Sequence, residues 1–246
     1  MSVISKLLSS VYAVLAYVVG IVSFVWLMGF LINVHVPKTI DAGPGVPLAG
    51  GYFTNAAMLA AYLVVHSIMA RPWFKKWWTK FIPQPIERAT YVLIAGATLI
   101  LLMWAWQPLP ESVWRMENAV LVGGIYTLYG LGWLMMLLAT FNIDHWSFFG
   151  LRQVWNAVLE RSARSAPFTA RFLYGVVRHP ISLGWLIVFW ATPQMSAGHL
   201  LMAASVSIYI AIATPIEEAD LIAELGEDYA SYRKRVRAIL PWPHRQ

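Results

Sequence analysis

The sequence predicts an all-α, polytopic membrane helix bundle, and three observations carry that reading. Hydrophobic residues fill 59% of the 246 positions and charged residues only 12%, against about 25% charged in an ordinary soluble domain. Four apolar stretches come close to or exceed the roughly 20 residues needed to cross the hydrocarbon core. Thirteen Trp and eleven Tyr supply the side chains that favour the headgroup boundary.

The four spans are expected at Val11–Asn33, Gly51–Ala70, Arg88–Trp106 and Asn118–Phe141. The first is too long for a signal-peptide core and lacks a small-residue cleavage pattern, so it reads as a retained span. A fifth apolar region, Ser182–Thr214, is interrupted by Pro193 and Gly198. Neither piece reads as a comfortable span alone, so a helical hairpin is expected there. The architecture is therefore four full spans, a C-terminal hairpin over 182–214 and short cytoplasmic helices. No internal repeat is evident, and residues 1–246 read as one membrane domain. Residues 1–141 supply the N-terminal spans and 142–246 a cytoplasmic-facing part.

Basic residues fix the orientation. Lys6, the cluster from Arg71 to Arg88, the cluster from Arg152 to Arg178 and the tail from Arg233 to Arg245 hold sixteen of the eighteen Lys and Arg. All sixteen share one side if the N-terminus is cytoplasmic, leaving Lys38 and Arg115 opposite. Both termini are then cytoplasmic, and the last apolar region must return to its starting side. The net charge of +6 is read as this bias and not as a nucleic-acid surface. The bilayer is the expected partner, with no obligate protein partner evident. "VPKTIDAGPGVP" reads as irregular outer loop. "PWFKKWWTKF" alternates cations with aromatics and reads as an interfacial helix. Cysteine is absent, which removes disulfides and thiolate metal sites, and no metal site is expected.

Three polar clusters share the cytoplasmic side: Phe141–Gln153, Leu173–Ser182, and the stretch from Thr214 that carries Glu217-Glu218. The two ends of a hairpin lie side by side, so Arg178-His179 is expected near Glu217-Glu218. From the residues alone two readings stand. One is a positive flank, a Pro-initiated helix start and an acidic first turn. The other is a site.

Tyr174, Arg178-His179-Pro180, Gly184-Trp185, Glu217-Glu218, Gly226, Tyr229 and Tyr232 form an ordered set. With it, the stretch Tyr174–Pro241, about a quarter of the chain, resembles the isoprenylcysteine carboxyl methyltransferase superfamily of integral-membrane enzymes. "HSIMARPWFKKWW", "ERATYVLIAGATLILLMWAWQPLP" and "DHWSFFGLRQ" resemble a narrower group, the bacterial methanethiol S-methyltransferases. Members of the nitrite-reductase-accessory NnrU type share part of the N-terminal pattern. The resemblance implies S-adenosyl-L-methionine as methyl donor, a small volatile thiol as acceptor, dimethyl sulfide as product and the bacterial inner membrane as location. It implies that Tyr174, His179, Pro180, Ile181, Ser182 and Glu217 line the donor site and that Gln153 reaches it. Arg178 or Arg233 is implied as partner of the donor's carboxylate, and Tyr229 and Tyr232 as packing of a lid.

Two positions depart from the superfamily. Members that methylate a prenylcysteine carboxylate carry Arg where this chain has Ala213, and a small neutral residue cannot anchor an anion. That suits an apolar thiol. The usual Tyr two residues after the Pro is Ser182, which removes one ring from the expected donor contacts.

The base has three open readings. His145, next to Asp144, has a suitable ordinary pKa. His66 is an intramembrane ionisable group or a helix-to-helix hydrogen bond. The third reading needs no base, the sulfonium lowering the thiol pKa. His35, His199 and His244 read as bystanders. Alternatives to methanethiol are another small thiol or hydrogen sulfide. A different class is a haem-binding protein of NnrU or carotene-isomerase type, with His66 and a second His as axial ligands.

Overall fold

A computed structural model describes residues 2–43, 50–161 and 170–241. Its helices are α1 (Val3–Leu31), α2 (Gly51–Ala70), α3 (Pro72–Trp78), α4 (Gln84–Ala105), α5 (Ala119–Ile143), α6 (His145–Phe148), α7 (Leu151–Val158), α8 (Leu173–Val176), α9 (Pro180–Trp190), α10 (Ala197–Leu225) and α11 (Glu227–Arg235). Two short strands, β1 (Ser112–Arg115) and β2 (Gln194–Ser196), pair antiparallel. Among the described residues five helices, α1, α2, α4, α5 and α10, are long and apolar enough to cross a membrane. The all-α membrane bundle follows directly. Pro44, Gly45 and Pro47 of the outer loop, with Arg164, His244 and Arg245, lie outside the described residues.

Two expectations are corrected. The fifth apolar region is a hairpin, but its arms are unequal. α9 has 11 residues, while α10 runs 29 residues, through Pro215, and is a full-length span. A proline inside a helix loses one backbone bond. The stretch after it, "IEEADLIAEL", is rich in strong helix formers, and the helix persists to Gly226, whose φ of +61° ends it. The first span also starts early. α1 begins at Val3, with the Ser2 side chain accepting from the Ser5 amide at 3.2 Å. Lys6, the only charge in that first stretch, is neutralised by Glu160 at 2.8 Å.

The chain forms two compact units. The first comprises residues 1–110 with 144–165. Its core is the packing of α1 on α4. Gly96 meets the Gly20 backbone so closely that a Cβ would lie 3.0 Å from the Gly20 Cα, allowing the backbones to touch as in small-residue membrane interfaces. Ala13, Ala16, Ala89 and Val154 continue this core into α7. Asn55, fully buried on α2, donates to the Gln107 carbonyl at 2.7 Å and accepts from the Gln107 amide at 2.9 Å. These bonds satisfy the backbone where α4 ends before Pro108.

The second unit comprises residues 111–143 with 166–246. Here α5 packs on α9. A Cβ on Gly132 would lie 2.9 Å from Cγ2 of both Ile187 and Val188. At the hairpin turn Ser196 caps α10, accepting from the His199 amide at 3.1 Å. The buried His199 ring contacts the Phe189 carbonyl at 2.9 Å, which gives this histidine a structural task. The β1–β2 ribbon, which the sequence pattern does not reveal, joins the hairpin tip to the loop before α5.

Candidate active site

In the second unit the chain leaves α8 in an extended conformation and meets the stretch after α11. Val177 pairs in parallel with Arg237. The Arg178 amide donates to the Arg237 carbonyl at 2.7 Å and the His179 amide to the Ala238 carbonyl at 2.9 Å. His179 is the N-cap of α9 and Pro180 its first residue, where the missing amide costs no helical bond. Ile181 and Ser182 complete the first turn, half-buried.

Opposite this start lies Glu218 of α10. Its Oε1 accepts from Arg178 Nε at 2.7 Å and Nη2 at 2.6 Å, and lies 3.1 Å from His179 Nε2. Arg233 Nε reaches its Oε2 at 3.0 Å. Arg178 Nη1 also donates to the carbonyls of Arg233, at 3.0 Å, and Val236. The Glu218 side chain is 4% exposed and Arg178 9%. A buried carboxylate therefore holds two arginines and an imidazole, the pairing such a charge requires.

Glu217 is the open member of the pair. Its Oε2 lies 3.6 Å from His179 Nδ1, and its side chain is 52% exposed. Its charge, with burial as the larger cause, holds the Tyr174 phenol above its ordinary range. Tyr174 is fixed in turn by Tyr232, whose hydroxyl donates to the Tyr174 carbonyl at 2.6 Å. Tyr229 and Tyr232 are buried and pack edge to face with centroids 5.6 Å apart. Burial first, and the Glu218 charge in support, push both phenols up to about 12. All three tyrosines are neutral at physiological pH.

Thus Arg178, His179, Glu217 and Arg233 come together, with Tyr174 beside Glu217. Glu218, which sequence reasoning left out of the contact set, is their centre. A signal existed: Ile210, Thr214 and Glu218 are all buried at steps of four on α10, so the helical phase continued past Pro215 selects Glu218 for the inside.

The first unit holds the other expected residues. Asp144 caps α6, accepting from the Ser147 amide at 3.2 Å and hydroxyl at 2.8 Å, and pairs with Arg152 Nη1 at 2.8 Å. His145 is buried, its Nε2 3.1 Å from the Tyr17 hydroxyl, with the rings edge to face. Burial lowers its pKa, and the Asp144 charge opposes this only in part, so the imidazole is neutral near pH 7. Tyr17 carried no functional mark in the sequence. Gly150 (φ +86°) lets the chain turn between α6 and α7; a Cβ there would lie 2.5 Å from the Ala89 amide nitrogen. Gln153 sits on α7, donating to the Ser147 carbonyl at 3.0 Å, while its buried Oε1 has no partner among the described residues. His66 Nε2 lies 2.8 Å from the Tyr91 hydroxyl, and its ring stacks on Tyr62 with centroids 5.7 Å apart. Arg88 covers the Tyr91 ring at 4.8 Å. His66 thus forms the helix-to-helix contact between α2 and α4.

Compared with known proteins, the chain is similar over nearly its full length to bacterial proteins named methanethiol S-methyltransferase. It is 43% identical over 240 residues to one from Mycobacterium tuberculosis, covering 98% of each chain. It is 43% identical over 239 residues to methanethiol S-methyltransferase 1 of Bradyrhizobium diazoefficiens, covering 97% of this chain and 84% of the relative. To the protein from Pseudomonas deceptionensis it is 41% identical over 237 residues, covering 96% of this chain and 90% of that one. No family model and no solved structure matches the chain.

Proposed function

Because the chain belongs to the methanethiol S-methyltransferase family, we propose that it methylates methanethiol to dimethyl sulfide with S-adenosyl-L-methionine as donor. The observation that carries this reading is the His179 imidazole held between the buried Glu218 and the half-exposed Glu217.

The residues fit such a donor. Glu217 has a free-facing carboxylate for hydroxyl or ammonium groups, Tyr174 adds a neutral ring able to face a cation, and His179 lies between them and the first turn of α9. Pro180, Ile181 and Ser182 line that turn. Arg178 is committed to Glu218 and two carbonyls, so its part is to position His179 and Glu218. Arg233, whose side chain is 51% exposed, keeps the freedom to meet a carboxylate. When bound, S-adenosyl-L-methionine supplies an electrophilic methyl group on a sulfonium, open to in-line displacement by a thiolate.

The thiolate is the reactive form of the acceptor. We assign its proton to His145, which burial keeps neutral and hence able to accept it. Gln153, with its unpartnered Oε1, is assigned to ligand contact. Ala213 lies one turn before Glu217 on α10 and provides no cation for an anionic acceptor. The reaction belongs on the cytoplasmic side of a bacterial inner membrane, in keeping with the distribution of Lys and Arg.

The test is purified protein in a bilayer mimic with labelled donor and a panel of volatile thiols, hydrogen sulfide included. Dimethyl sulfide from methanethiol is the expected main product. Failure to methylate any thiol, with intact fold, overturns the proposal; preference for another thiol replaces the acceptor alone.

A further inference from the structure

The first unit contains a cavity of about 580 Å³ beside α1, α6 and α7. The sequence of α7 explains it. Leu151 and Val154 of α7, with Ala13 of α1, form its floor, Trp155 stands one turn beyond Leu151 on the same side of the helix, and Arg152 and Asn156 flank it with polar groups. Val14 of α1 and Trp146 of α6 complete an apolar wall, and Arg161 closes the polar rim. Val14, Trp146 and Trp155 are 54%, 47% and 60% exposed, far above what a packed interior leaves open.

The charges do not balance. Arg152 is met by Asp144 at 2.8 Å, and Lys6 by Glu160 at 2.8 Å. Arg161 is left over: among the described residues no carboxylate pairs with it. Of the two arginines that line the cavity, Arg152 is paired with a carboxylate and Arg161 is not. A guanidinium is well shaped for phosphate, two indoles favour the headgroup boundary, and basic pockets beside membrane helices accept lipid headgroups. The apolar wall needs a ligand with a hydrocarbon part, which an inorganic anion lacks. A zwitterionic lipid would bring its own cation to a rim already in positive surplus.

We propose that this cavity is a binding site for one anionic phospholipid, its phosphate on Arg161 and Asn156 and its chain along Val14, Trp146 and Trp155. Other basic surfaces, such as Lys75 and Lys76 on α3, can also attract anionic lipid, so the test counts lipids and compares variants. Native mass spectrometry of the full chain, released from detergent with phosphatidylglycerol or phosphatidylcholine of equal chain length, is the measurement. The wild type should retain one more phosphatidylglycerol than Arg161→Ala, with at least tenfold weaker retention of phosphatidylcholine. Arg161 is exposed, and an unchanged melting temperature in lipid-free detergent certifies the variant's fold. Trp155→Ala should lose the same lipid. Equal retention of the two lipids, or an unchanged count in Arg161→Ala, overturns the proposal. Displacement of the lipid by millimolar inorganic phosphate would make the site a free-anion site and overturn it equally.

Discussion

Glu218 Oε1 lies 3.1 Å from Nε2 of His179, and this contact joins two segments that are 39 positions apart. The same oxygen takes both Arg178 bonds. Removing one partner of a buried ion pair costs about 3–5 kcal/mol, because the other charges stay buried. Glu218→Gln should therefore lower thermal stability markedly and abolish activity together with it. A melting temperature within about a degree of wild type would show that the network contributes little.

Glu217 should behave differently. Its side chain is half-exposed, and surface substitutions usually change stability by less than about 0.5 kcal/mol. Glu217→Ala should keep the melting temperature and lose at least tenfold in donor affinity by calorimetry. Full affinity would remove this carboxylate from the donor site.

The pH dependence follows from His145. Burial holds its pKa below the ordinary 6.5, so the neutral, proton-accepting form persists into mildly acidic solution and is lost only as pH falls further. The acid limb of kcat/KM should therefore lie below pH 6.5, and Tyr17→Phe should move it. His145→Ala should lose more rate at low pH than at high pH, where the free thiol ionises unaided. A loss of equal size at every pH would assign His145 to positioning.

Gly132→Val probes the packing of α5 on α9. Even one Cβ would approach Ile187 and Val188 Cγ2 at 2.9 Å, and both neighbours are stiff β-branched residues. Overpacking typically costs about 1–3 kcal/mol, so the variant should melt lower, while Gly123→Ala, with open space around it, should not. Equal melting temperatures for the two would contradict the close contact.

The absence of cysteine makes orientation directly testable. Ser112 on β1 and Ser231 on α11 are both exposed. A membrane-impermeant maleimide applied to intact cells should label Ser112→Cys and spare Ser231→Cys. The reverse pattern would invert the proposed topology.

What the sequence reveals depends on how local the cause is. α2 matches its expected bounds, Gly51–Ala70, because Gly50 precedes it and Arg71-Pro72 ends it, all within the chain's own neighbourhood. The meeting of Arg178-His179 with Glu217-Glu218 was legible because a hairpin leaves little choice. The start of α1 was not, since Lys6 is neutralised by Glu160 from 154 positions away. Nor was the choice between the two glutamates, because ending the helix at Thr214 discarded the phase that sends Glu218 inward. The β1–β2 ribbon rests on seven residues of backbone pairing, with no alternating pattern to announce it. Tyr17 stood among the many aromatics of an apolar span until the fold set it against His145.

The seam between Val177 and Arg237 has a consequence for biosynthesis. Its two bonds run from main chain to main chain, so they tolerate drift in the side chains around 236–238 yet require that polypeptide to be present. The helices on either side can enter the bilayer as the ribosome delivers them. The ring of arginines, imidazole and acid can settle against this seam only after the codon for Ala238 has been read, making this network the last part of the second unit to mature.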